Sequence, residues 1–150
     1  MADPFPLQTV LDLMQVRADD AARDLGRLIA AEHDAKSRLD LLVGYRDEYA
    51  ARFRAAAQQG MTPQQWANFQ EFASRIEQAI DQQAAVVAAS RDRTAAGQER
   101  WRDSNQQVQA FDTLAQKHDA QQRYVEGKRE QKRTDELATR RHLDREASEQ

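Results

Sequence analysis

The stretch Gln58–Trp66, "QQGMTPQQW", decides how this chain folds. Gly60 suits the position just past a helix end, where glycine tolerates left-handed backbone without a Cβ penalty. Thr62 suits an N-cap, Pro63 the first helical position, and Gln65 completes a T-x-x-Q capping box. One helix therefore ends and another begins within a few residues. Helices joined by so short a loop fold back as an antiparallel hairpin. The remaining prolines are Pro4 and Pro6, so no proline interrupts either arm. The expected architecture is all-α, with helix 1 over about 5–58, a loop over about 59–62 and helix 2 over about 63–145.

Periodicity on both arms agrees. Steps of four and three from Leu7 pass through Leu11, Met14, Ala18, Ala21, Leu25 and Leu28, and on through Glu32, Ala35, Leu39, Leu42, Arg46, Tyr49 and Phe53. Only Glu32 and Arg46 are neither apolar nor aromatic, which is the signature of a coiled-coil seam. On helix 2 the stripe from Phe69 runs through Ala73, Ile76, Ile80, Gln83 and Val87. It continues through Ser90, Thr94, Gly97, Trp101, Ser104, Val108 and Phe111. Its middle is small and polar. Folding about residue 59 sets Phe69 against Tyr49, Ile76 against Leu42 and Ile80 against Leu39. The small Ser90 and Thr94 then face the large Leu28 and Leu25, and Val108 and Phe111 lie near Leu11 and Leu7.

Helix 1 then lacks a partner for helix 2 beyond about residue 112, and the C-terminal part of helix 2 is expected to project unpaired. That segment is rich in charge. From Lys117 to Arg133 it carries six basic and three acidic residues. Such a helix is marginal alone in water and suited to ordering on a partner.

Composition supports a long helical hairpin over a globule. Leu, Ile, Val and Phe make up only 17% of the 150 residues, and alanine supplies 26 more. The formal net charge is only −3, unlike the strong charge imbalance of disordered chains. There are no cysteines, which removes disulfides and thiol chemistry. No run of about 18 apolar residues spans a membrane, and "MADPFPLQTV" lacks a secretory signal, so the expected compartment is the cytoplasm.

The residues offer no catalytic constellation. The five glycines are isolated, so no phosphate-cradling loop forms. His33, His118 and His142 are scattered, and adjacent pairs such as His33–Asp34 diverge by about 100° on a helix. No enzyme activity, metal or cofactor is expected. The basic excess near the C-terminus is interrupted by Asp119, Glu126 and Glu130, which argues against nucleic acid. It also lacks the apolar face of a membrane-lying helix. Protein–protein contact remains. In "LLVGYRDEYAARF", Leu41–Phe53, Tyr45 falls off the seam; Phe72 does the same on helix 2. Arg38, Leu42, Tyr45 and Tyr49 form one row at helical spacing, and Phe72, Ile76, Ala79 and Gln83 form a second beside it. Leu42, Tyr49 and Ile76 fit equally a widened core, whereas Tyr45 and Phe72 fit an exposed binding patch.

Four blocks carry a family resemblance: "FPLQTVLDLMQVRADDAARDLG", "LLVGYRDEYAARF", "WANFQEFASRIEQAIDQQ" and "REQKRTDELATRR". In order, over nearly the whole chain, they resemble FliJ, the small coiled-coil component of the bacterial flagellar type III export apparatus. The resemblance implies an antiparallel coiled coil similar to the stalk of rotary ATPases. It implies binding to the hexameric export ATPase near both termini, around Leu7 to Met14 and on the C-terminal helix. It further implies contact with the cytoplasmic domain of the export-gate membrane protein, and with the ATPase regulator and export chaperones, at the cytoplasmic face of the inner membrane. The gate surface of the family maps onto Arg38, Leu42, Tyr45, Tyr49, Phe72, Ile76, Ala79 and Gln83. Arg38 and Gln83 depart from the amide and the histidine of the family pattern. The competing readings are a coiled-coil protein of a virulence-type secretion system and a generic helical scaffold.

Overall fold

Residues 4–149 are described by the computed structural model. They form two α-helices, α1 (Gln8–Gln59) and α2 (Pro63–Ser148), with no strand among the described residues. The fold is thus the all-α helical hairpin that the turn and the stripes imply. Helix α1 starts at Gln8, three residues later than the sequence suggests. Pro6 forces the residue before it away from helical backbone, and the Gln8 amide instead closes a turn onto the Phe5 carbonyl at 3.1 Å. Helix α2 runs on to Ser148, since nothing after Pro63 breaks it.

The turn is built as its residues dictate. Gly60 adopts φ 94°, a left-handed value, and its amide donates to the Ala57 carbonyl at 3.3 Å. The capping box closes in both directions. The Gln65 amide donates to Thr62 Oγ1, and the Thr62 amide donates to Gln65 Oε1, both at 3.1 Å. The Thr62 carbonyl accepts from the Trp66 amide at 3.0 Å, the first bond of α2.

Contacts divide the chain into two compact units, one made of Asp19–Asp103 and the other of the residues up to Ala18 with those from Ser104 onward. In the first unit α1 and α2 pack antiparallel along the two stripes. Ala35 of α1 is buried, as are Ile76, Ile80, Val87, Ser90 and Gly97 of α2. The end nearest the turn is aromatic: Tyr49 and Phe69 have ring centroids 5.1 Å apart, and Phe53 meets Phe69 edge-on at 5.4 Å. The middle is held by small and polar groups. Gln83 Nε2 donates to the Ala35 carbonyl at 2.9 Å, and Thr94 Oγ1 lies 3.3 Å from the Leu28 carbonyl, both across the helix pair.

The two charged interruptions of the α1 stripe each find an opposite charge on α2. Arg46 reaches Glu77 and Glu32 meets Arg91, each at 3.8 Å. Placed at the seam edge, they keep their charges hydrated while their stems pack. These pairs centre the fold on residues 61–62, not on 59. The reason is the loop: three residues, Gly60 to Thr62, separate the helices, so its midpoint is Met61.

In the second unit Ala18 is buried, and Val10, Leu11 and Met14 are half-buried. The α2 stripe continues past Phe111 through Ala115, His118, Gln122 and Val125, all half-buried. Phe5 stacks on His118 with ring centroids 5.7 Å apart, so the N-terminal segment still meets α2 beyond the expected limit near residue 112. From Glu126 to Glu149 every residue is exposed.

Candidate partner-binding surface

Both rows of candidate residues lie in the Asp19–Asp103 unit, and the structure brings their central members together. The α1 stripe drifts slowly around the helix, so by Leu42 and Tyr49 it has reached the edge of the seam. Tyr45, one turn from each, falls outside it and is 57% exposed. Phe72 on α2 is 47% exposed, whereas Ile76 one turn further is only 8% exposed. The Tyr49 ring bridges seam and surface, 5.1 Å from Phe69 and 4.4 Å from Phe72 between ring centroids. Tyr49 and Ile76 are therefore supports, and Tyr45 and Phe72 stand above them.

Leu42, Tyr45, Tyr49, Phe72 and Ile76 line a shallow groove of about 340 Å³. Two further residues line it that the sequence reading did not single out, Glu48 and Arg52. They continue Tyr45 at helical spacing, three and seven residues on, but a charged residue on an exposed helix face carries no distinct signal in the sequence. Neither makes an ion pair among the described residues, so the groove offers one free charge of each sign.

Arg38, Ala79 and Gln83 do not line this groove. Arg38 is exposed and pairs with Asp34 at 3.4 Å on its own helix. Ala79 is half-buried. The Gln83 amide is turned into the seam, where it serves the Ala35 carbonyl. These three extend the surface along the hairpin without adding an aromatic contact.

On the other side of the Tyr49–Ile76 floor lies a second and larger groove of about 450 Å³, which includes Phe53, Phe69 and Ala73. Sequence reasoning missed it because its walls are Ala50 and Ala73, whose small side chains carry no signal by themselves.

Both grooves are lined by apolar side chains with arginines and carboxylates at the rims, and neither contains histidine. Among the described residues no group of three or more histidines or carboxylates stands close enough to hold a metal ion. No described helix is long and apolar enough to cross a membrane. Of the histidines, His118 stacks on Phe5, and His142 lies 3.2 Å from Glu146 on an exposed helix. What the arrangement can do is hold another protein: aromatic anchors on a rigid apolar floor with a charged rim have the composition of an interface hot spot.

The fold defines a class, the all-α helical hairpin proteins. The comparisons narrow this to one family. The family model described as flagellar FliJ protein matches residues 3–147. The flagellar FliJ protein of Salmonella typhi is 31% identical over 140 residues, covering 93% of this chain and 95% of that protein. The flagellar FliJ protein of Escherichia coli strain K12 is 30% identical over the same length and coverage. The chain belongs to the FliJ family and is a component of the flagellar export apparatus.

Proposed function

We propose that this protein serves flagellar export by binding alone, as an adaptor between the export ATPase and the export gate. The Tyr45–Phe72 face engages the cytoplasmic domain of the gate membrane protein. Arg38, Leu42, Tyr49, Ile76, Ala79 and Gln83 complete or support that face. The hexameric ATPase ring is contacted through the N-terminal turns around Leu7 to Met14 and through the C-terminal helix. The ATPase regulator and export chaperones are further partners, and the complex works in the cytoplasm against the inner membrane at the flagellar base. Neither a cofactor nor nucleic acid takes part.

The observation that carries this reading is the pair of half-exposed aromatics, Tyr45 and Phe72, on a groove floored by Tyr49 and Ile76. Monomeric surfaces seldom present clustered aromatics without a partner for them. The test is binding of the purified gate cytoplasmic domain to the double variant Tyr45→Ala, Phe72→Ala. Binding is expected to be lost while circular dichroism stays fully helical. Retained binding, or a collapse of helicity, sinks the assignment.

A further inference from the structure

The second groove, beside Ala50 and Ala73, shares the Tyr49–Ile76 floor with the face just assigned but opens on its other side, and its charges say what fits it. Its floor is apolar, with Phe53 and Phe69 meeting edge-on at 5.4 Å. Its walls are low, because alanine stands on each helix. A third helix can approach such a trough closely and seat a bulky apolar side chain between the alanines as a knob in a hole.

The rim is asymmetric. Arg46 closes one end, held by Asp47 at 3.3 Å and by Glu77 at 3.8 Å across the helix pair. Those three charges leave no free carboxylate there. Arg54 lines the other end and makes no ion pair among the described residues. Trp66 follows the same flank of α2, one turn from the lining residue Gln70, and is 53% exposed. An unpaired arginine and an open tryptophan beside an apolar floor are the residue types that dominate binding energy.

We infer that this groove is a docking site for an acidic amphipathic helix of another protein, seating an aliphatic side chain between Ala50 and Ala73 and a carboxylate on Arg54. A second copy of the chain fits less well. Its equivalent face brings another unpaired arginine, and its two rim carboxylates are already held by Arg46.

The test uses a synthetic three-heptad peptide with leucine at the first and fourth heptad positions and glutamate beside them, against a twin with lysine for glutamate. The reporter is Trp66 emission in a Trp101→Phe background. The acidic peptide is expected to shift that emission to the blue, and the lysine twin to leave it unchanged. Arg54→Glu should weaken the acidic peptide by about tenfold or more and admit the lysine twin, since like charges in contact are strongly disfavoured. Ala73→Arg should block the acidic peptide with helicity intact, while Tyr45→Ala binds the acidic peptide like the parent chain. Equal binding of the two peptides, or binding that survives Ala73→Arg, overturns the proposal. So does a dimer in light scattering that Ala73→Arg dissociates, because a second copy would then be the occupant. Loss of peptide binding in Tyr45→Ala would place the peptide in the first groove, which Tyr45 lines and the second does not include, and would also overturn the proposal.

Discussion

Gly97 sits so close to Leu28 on the facing helix that a Cβ built on it would stand 2.5 Å from the leucine Cδ1. A glycine inside a long helix costs about 1 kcal/mol relative to alanine, and here that cost accompanies a close approach of the two helices. The small α2 residues Thr94 and Gly97 thus meet the large Leu25 and Leu28 of α1.

Size complementarity at this point is directly testable. Gly97→Leu is expected to destabilise by about 1–3 kcal/mol, the usual range for overpacking a seam. Combining it with Leu28→Ala should recover more than half of that loss, because the volume is then exchanged across the pair. Urea denaturation of the two single variants and the double variant measures the coupling. Strict additivity would mean that Gly97 and Leu28 do not share a packing volume.

The turn makes a second prediction. Thr62→Ala removes the acceptor for the Gln65 amide and is expected to lower stability by about 1 kcal/mol. Gly60→Ala should cost a similar amount, about 1 kcal/mol, because φ of 94° is left-handed backbone that a Cβ resists. Thermal melts followed by circular dichroism report both. No shift on Thr62→Ala would mean that the capping bonds are replaced by water at no net loss.

Gln83 gives a third. Its amide donates to the Ala35 carbonyl from a half-buried position, so Gln83→Ala should cost about 1 kcal/mol. Gln83→Leu should stay within about 1 kcal/mol of the parent chain, since apolar burial offsets the lost bond. A large loss in the leucine variant would show that the polar contact, and not the filled volume, sustains the seam there.

How much of this was readable from residues alone differs by region. The turn was legible to the level of single hydrogen bonds, because Gly60, Thr62, Pro63 and Gln65 each have a narrow conformational role. Both stripes were legible too, even where they break. Glu32 and Arg46 interrupt α1 and are answered by Arg91 and Glu77. The registry was not fully legible, because one residue of loop length moves the facing partners and no residue marks the loop centre. The continuation through Ala115, His118 and Gln122 was hidden by polarity: a histidine stacked on Phe5 looks like any surface histidine in one dimension. For the candidate surface, Tyr45 and Phe72 stood out by falling off the stripe. The direction of the Gln83 amide, and the trough between Ala50 and Ala73, depend on side-chain geometry that spacing does not encode.

A fourth prediction concerns exchange rates. Residues 126–149 have no packed side, and an isolated helix of such length is marginal in water. Their amides are expected to exchange on the order of seconds at neutral pH. Amides around Ile76 to Ser90, with buried side chains, should persist far longer. Addition of the cognate ATPase should slow exchange in 126–149; unchanged rates at saturation would count against the C-terminal contact.

The wholly exposed run after Val125 has one more consequence, and it concerns how the sequence is free to vary. From Glu126 to Glu149 the side chains meet only others on the same helix, such as His142 with Glu146 at 3.2 Å, so packing against another element imposes nothing on the choice of residue beyond the ability to form a helix. Any position in that run that resists substitution in a motility selection would therefore report on contact with another protein. In the Asp19–Asp103 unit the same observation would be ambiguous, because a residue there can be kept for the seam, for a partner or for both. Saturation mutagenesis of 126–149 would draw the footprint of a foreign surface without any structure of the complex.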